Sequence, residues 1–511
     1  MSVRESATTM AVARPEDERL SVGNNIIYGL QHILAMFGGV IAVPTIIGGA
    51  AGLDATGKAL LIASALFISG LATILQTVGV PYFGSQLPVV QGISFASVAT
   101  LTAIIGKNGA DGLRSAFGAT IVAGIVALII VPFFAKVIRF FPPVVTGTVI
   151  TVIGLALTPS AAGWITGNRT ITVNGQAQTN PAYASVNAIL LAIITLVIIL
   201  ACSLIKRLAR MAILIGLAIG WILAVPFGLA PAPKLAGTAI VGFPAPFNGG
   251  QWMPIFEIGA IVSMLIVLIV IMVETTADIL AIGVVVGTEV DPKRLAAGLR
   301  ADMLSCVVAP VFNTFPATAF AQNVGLVALS GIKSRWVVAT GGIILTILGL
   351  SPWLSACLTA LPLPVLGGAG IVLFGSVTAS GIRSLSKVNF DGNNNLLIVA
   401  ASITFGLFPK FVSDFWSKFP EAVRIVLDSP ISMAAIMAFV LNLVFNVWGP
   451  GDKSHVHVTE AHGPARAVTD KDIADLDAQK AAGAIDGAAD ELKHKLDKAG
   501  DLLDGNPNKS E

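Results

Sequence analysis

Proline and glycine interrupt the apolar stretches of this chain at matched places in its two halves. Pro143-Val144-Val145-Thr146-Gly147 runs on to Gly154, and Pro364-Val365-Leu366-Gly367-Gly368 runs on to Gly375, with the same spacing and no gap. A second interruption precedes each. In the first half it is Gln86-Leu87-Pro88-Val89-Val90-Gln91-Gly92; in the second it is Thr314-Phe315-Pro316-Ala317-Thr318, leading into Gln322-Asn323-Val324-Gly325. Broken apolar segments in corresponding halves are the trace of an inverted repeat in a membrane, and the breaks mark a binding site between the repeats.

The surroundings of the breaks demand a bilayer. Of 511 residues, 55% are hydrophobic and 12% charged, against about 25% charged in soluble domains. Apolar runs near the ~20 residues needed to span fall at 25–46, 59–79, 113–135, 142–160, 184–205, 211–228, 258–284, 294–312, 335–351, 361–381, 393–408 and 431–448. Two more, at 88–106 and 316–330, are too broken for ordinary helices and read as an extended stretch followed by a half-helix. The fold class expected is an all-α polytopic membrane protein of 14 segments, seven plus seven, with the half-helices as segments 3 and 10.

The basic clusters Lys136/Arg139, Lys206/Arg207/Arg210, Lys293/Arg294, Lys333/Arg335 and Arg383/Lys387 all follow even-numbered segments. Positive loops stay cytoplasmic, so both termini are expected inside. Residues 1–20 show no apolar core of a signal peptide, and the polar tail from 451 reads as a solvated cytoplasmic segment. A net charge of +2 gives no reason to expect a nucleic-acid partner, and Cys202, Cys306 and Cys357 lack ligand-like spacing. No metal or other cofactor is expected.

Ionisable residues inside spans are costly and mark function. Glu274 and Asp278 stand four apart, on one helix face. Asp302 begins or lies within the next span, and His32 is the only histidine of the apolar region. A carboxyl in low dielectric can take up and release a proton near neutral pH. The alternative for each is a polar group that joins helices, and for His32 that alternative leads. Gln322 has the donors and acceptor to hold two edges of a flat heterocycle, and a half-helix starting there offers free N–H groups. Across from it, Ser94 and Phe95 follow their own break, where backbone amides and a ring could meet a planar ligand; packing is the alternative for Phe95.

These residues together resemble the nucleobase–ascorbate transporter family. Its signature, Gln/Glu-Asn-x-Gly, four residues, then Thr, is matched by Gln322-Asn323-Val324-Gly325 with Ser330 in place of the threonine. The family's first-helix pair matches Gln31-His32, its segment 8 acids match Glu274 and Asp278, and its segment 9 acid matches Asp302. The resemblance spans roughly residues 20–450 and is greatest to bacterial urate and xanthine permeases.

The resemblance implies a core domain (21–140 and 250–351) and a gate domain (141–230 and 352–450), a homodimer, and an elevator-like motion of core against gate. It implies that Glu274 and Gln322 bind a purine, with Phe95, Ser94 and Asn323 around it. Asp278, Asp302, His32 and Gln31 would support the site or proton coupling. The expected activity is proton-coupled import of uric acid or xanthine, with Na+ as the alternative ion and no enzymatic chemistry. Gly147, Gly154, Gly368 and Gly375 are expected to form a smooth track for the moving core, or else simple helix packing. An anion carrier on the same fold, or a symporter for uracil or another nucleobase, is the rival; the carrier needs no buried carboxyl pair.

Overall fold

The computed structural model describes residues 14–448 apart from 107, 138–140, 174–175, 210, 234, 236–237, 392 and 413. The tail expected from 451 lies outside the described residues. The first half comprises α1 (Val22–Ala50), α2 (Ala55–Val78), β1 (Gln91–Ile93), α3 (Val98–Ile105), α4 (Gly109–Val137), α5 (Pro143–Thr166), a hairpin of β2 (Thr170–Val173) and β3 (Gln176–Thr179), α6 (Val186–Leu204), α7 (Lys206–Ala209) and α8 (Ala212–Ala224). The second half comprises α9 (Ile258–Val286), α10 (Pro292–Val308), β4 (Ala317–Ala319), α11 (Ala321–Ser330), α12 (Arg335–Gly349), α13 (Pro352–Thr359), α14 (Leu363–Leu385), α15 (Asn395–Phe411), α16 (Glu421–Leu427) and α17 (Pro430–Asn442).

Each half has two long helices, a strand, a half-helix and further helices in the same order, which is the two-repeat plan. Among the described residues nine helices are long and apolar enough to cross a membrane, and α12 with α13 form a bent pair at 81°. Length alone therefore does not reach fourteen. The stretch 211–228 shortens to α8, and Pro352 turns the chain where the sequence reads a plain loop. Among the described residues, the hairpin in the polar 166–187 stretch and the pairing of β1 with β4 are the named strands.

Helices pack in two groups. In one, α12 lies on α1 and α2, and α4 lies on α9 and α10. In the other, α5 lies along α14, α6 joins α14 and α8, and α15 joins α5 and α17. In a bilayer such contacts depend on close backbone approach, since lipid offers no hydrophobic drive between helices. A Cβ at Gly154 would lie 2.7 Å from Phe374 O, and one at Gly147 would lie 2.9 Å from Leu385 Cγ, both on α14. One at Gly368 would lie 3.1 Å from Thr195 Cβ on α6, while one at Gly375 would meet nothing within 4 Å. Three of these glycines thus close α5, α6 and α14 on one another within a single group, and Gly375 meets nothing.

The N-terminal segment is not a loose end where it is described. Glu16 is fully buried and pairs with Arg294 at 2.5 Å; Asp17 pairs with Arg335 at 2.6 Å. Arg294 also donates to Ser85 O and Gln86 O, and Arg335 to Thr77 O and Val78 O. Ser334 Oγ donates to Glu18 O. Residues 16–18 thus strap together the neighbouring ends of α2, α10 and α12. Buried pairs with additional hydrogen bonds hold best when neither partner is left alone.

Candidate functional site

The two broken segments meet. Pro88 and Pro316 lack an N–H and cannot continue a helix, so the chain around each stays extended. β1 and β4 pair antiparallel, with Gln91 opposite Ala319, Gly92 opposite Thr318 and Ile93 opposite Ala317. One backbone bond extends the ladder at each end, Phe320 N to Val90 O at 3.0 Å and Ser94 N to Pro316 O at 2.8 Å. Each strand then feeds a half-helix, and the antiparallel pairing sends α3 and α11 away from the crossing in opposite directions, both with their N-terminal ends toward it. Gly92 is required here: a Cβ would lie 2.5 Å from the ring of Phe320.

Three carboxyls surround the crossing and differ in their partners. Asp302 is buried and fully engaged, accepting from Thr275 Oγ1 at 2.5 Å and Gln76 Nε2 at 3.3 Å. Thr275 in turn meets Thr318 Oγ1 of β4 at 2.9 Å. Asp302 therefore ties α2, α9 and α10 to the crossing. Glu274 is half-buried, and its Oε2 has no hydrogen-bond partner; Asp278 is buried, and its Oδ2 has none. A buried acceptor left unpaired is costly, so Glu274 and Asp278 are the acids with capacity for a proton or a ligand.

His32 of α1 is buried, and its Nδ1 lies 3.0 Å from Asn323 Nδ2. Asn323 also donates to His32 O at 3.3 Å. With the amide donating, Nδ1 is the acceptor, which leaves the neutral ring's proton on Nε2. The donor end of Asn323 is spent on α1 and fixes α11, while its Oδ1 is buried without a partner. Gln31 is half-buried and makes no side-chain hydrogen bond among the described residues. Gln322 is the second residue of α11; its side chain lies outside what is described.

On the first-half side, Ser94 is buried and its Oγ accepts from Ala96 N at 3.2 Å. It caps the 3-10 turn Phe95–Ser97. Phe95 is buried, lies parallel to Phe320 with centroids 6.1 Å apart, and meets Phe374 of α14 edge-on at 5.9 Å. Its packing and its place at the crossing coexist.

Sequence reasoning missed Phe320, although it stands immediately before Ala321-Gln322 as Ser94 stands before Phe95. It also missed Gln91, buried at 1% exposure beside Asp302; its place in the extended stretch was the available signal. Two cavities lie at the helix ends on either side. One of about 670 Å3 lies beside the strap, lined by Arg14, Tyr82, Glu289 and Arg294 among others. One of about 520 Å3 lies at the opposite helix ends.

A multi-pass membrane permease, with two broken repeats meeting at a buried carboxyl, is the class that this fold and site define. The family profile described as Permease family (Xan_ur_permease) matches residues 23–415. The chain is 38% identical over 465 residues to the uric acid transporter UacT of Escherichia coli (strain K12), covering 90% of this chain and 92% of the relative. It is 39% identical to the uric acid permease PucJ of Bacillus subtilis (strain 168), covering 82% and 92%. It is 36% identical to the xanthine permease of the same organism, covering 85% and 97%. The chain belongs to this permease family, the nucleobase–ascorbate transporters, and is a transport protein and not an enzyme.

Among solved structures, the transmembrane domain of the cyanobacterial bicarbonate transporter BicA shares the fold at TM-score 0.57 and 17% identity, covering 81% of this chain and 96% of that one. SLC26A9 does so at 0.52 and 14%, covering 82% and 66%. At these identities the likeness concerns the seven-plus-seven fold alone.

Proposed function

We propose that the chain is a proton-coupled importer of purine nucleobases, uric acid or xanthine, in the bacterial plasma membrane. The observation that carries it is Glu274: a carboxyl on the helix beside the β1–β4 crossing, with one oxygen buried and unpaired. Glu274 accepts from a purine ring N–H, and Gln322, at the start of α11, holds the ring's second polar edge. Phe95 and Phe320 supply flat apolar walls, and the N-terminal ends of α3 and α11 offer backbone N–H groups to ring oxygens. Asn323, His32 and Asp302 hold these elements in place.

The helix group containing α1, α2, α4, α9, α10 and α12 serves as the core that carries this site, and the group containing α5, α6, α8, α14, α15 and α17 serves as the gate of a homodimer. Movement of one against the other gives alternating access, with the basic helix ends and both termini facing the cytoplasm. Relatives named for uric acid and xanthine support the substrate class. An anion carrier on this fold has no need of the unpaired acids Glu274 and Asp278 beside the crossing. The test is uptake of radiolabelled urate, xanthine and uracil by cells expressing the chain, with and without a protonophore. Purine accumulation that the protonophore abolishes supports the proposal; accumulation indifferent to it, or selective for uracil, refutes the coupling or the substrate.

A further inference from the structure

The cavity of about 520 Å3 lies at the helix ends opposite the N-terminal strap. It is within the size range of small-molecule sites, roughly 300–1,000 Å3. Its walls come from both helix groups: Thr45 of α1, Lys58 of α2 and Thr359 of α13 on one side, Leu229 after α8 and Pro364 and Leu366 of α14 on the other. The rest of the wall is apolar or backbone-lined. Thr45 and Thr359 donate their hydroxyl protons to their own helices, at Ile41 O (2.8 Å) and Ala356 O (2.7 Å). Lys58 is the only ionisable residue in this lining.

Lys58 occupies an unfavourable place for a structural cation. It stands in the first turn of α2, where the helix dipole is positive. The acid one turn back, Asp54, is exposed and caps Gly57 N at 2.8 Å. No ion pair to Lys58 is formed among the described residues. Its stem is nevertheless seated against the neighbouring helix: a Cβ at Gly48 of α1 would lie 2.9 Å from Lys58 Cγ. A cation half-buried in an apolar seam, without a partner and with the dipole adding to its field, raises the local concentration of anions.

We propose that this cavity is an outer vestibule in which Lys58 collects purine mono-anions, urate above all, before they reach the crossing. The inference rests on the purine reading and deepens it: it assigns a preference for the charged form of the substrate to a residue remote from Glu274. Because the vestibule spans both helix groups, core movement changes its shape, and an anion held there is released inward as the walls part. The preference is electrostatic and therefore weakens with salt.

The experiment measures urate uptake by the full-length protein in membrane vesicles, for wild type, Lys58→Gln and Lys58→Arg, with surface abundance normalised. In alkaline medium, where urate is an anion, Lys58→Gln raises KM roughly tenfold, the low end of what charged clefts supply, with kcat nearly unchanged. The ratio of variant to wild-type KM falls toward one in acid, where the substrate is neutral, and at high salt. Lys58→Arg restores the wild-type KM. An unchanged KM in alkaline medium, or the same rise in acid and alkali, overturns the vestibule while leaving the purine reading intact. Absence of purine uptake by the wild-type protein overturns both.

Discussion

The β1–α3 arm and the β4–α11 arm have the same backbone plan and opposite finishes. Every residue from Leu87 to Leu101 on the first arm is buried. Ser94 caps its turn, Ser97 Oγ donates to Ser94 O at 2.8 Å, and Thr100 Oγ1 meets Ser429 Oγ at 2.6 Å before α17. Its approach is clamped by Arg294 through Ser85 O and Gln86 O. The second arm has Phe320 at its N-cap, which offers no side-chain acceptor, and its α11 leaves Ala321, Gly325 and Ala328 exposed. Those three positions fall on one helix face. Internal symmetry thus sets the backbone, while caps and side-chain size decide which arm is closed and which is open.

The sharpest way to break the proposed site is at the acid with an unpaired oxygen. Glu274→Gln keeps the shape and removes the charge, and uptake of radiolabelled purine should fall to background at unchanged membrane abundance. Near wild-type accumulation in that variant would remove Glu274 from both binding and coupling.

The clamp on the closed arm comes next. Arg294→Met leaves Glu16 buried without its partner, which should cost about 3–5 kcal/mol. Thermal unfolding of the purified protein followed by fluorescence reads it out, and a loss no larger than that of an exposed arginine would show that the strap is decorative. On the open arm, Asn323→Leu removes the donor to His32 and should cost about 1–3 kcal/mol. The double variant with His32→Leu should cost less than the two losses added, as contacting partners do; strict additivity would mean that the pair is not coupled.

The matched glycines give the smallest effect and a direct contrast between repeats. Gly154→Ala pushes into Phe374 O and Thr378, and overpacking of that kind costs about 1–3 kcal/mol. Gly375→Ala meets open space and should stay within about 0.5 kcal/mol. Equal costs in unfolding measurements would restore a symmetric role for the two.

The breaks were legible because proline and glycine act locally: Pro88, Gly92 and Pro316 stop a helix whatever surrounds them. Glu274 stood out because a carboxyl in an apolar run is costly, and one of its oxygens is buried without a partner. What decides the roles of Asp302, Asn323 and Ser94 was not legible, because each depends on a partner that folding brings in. His32 and Asn323 are 291 residues apart, and Glu16 and Arg294 are 278 apart. The glycine spacing was real, yet spacing along one helix does not say which helix it meets. Gly147 and Gly154 share a period with Gly368 and Gly375 and still face different neighbours.

Cysteine accessibility distinguishes an open arm from a closed one without relying on transport. In protein whose Cys202, Cys306 and Cys357 are replaced, Ala321→Cys on the open arm and Ala96→Cys on the closed arm are exposed to a maleimide with and without urate or xanthine. Ala321→Cys should be alkylated and purine should protect it, while Ala96→Cys should stay unreactive in both conditions. Purine-protected labelling at Ala96→Cys, with labelling at Ala321→Cys indifferent to purine, would contradict the division of the two arms into a closed and an open one.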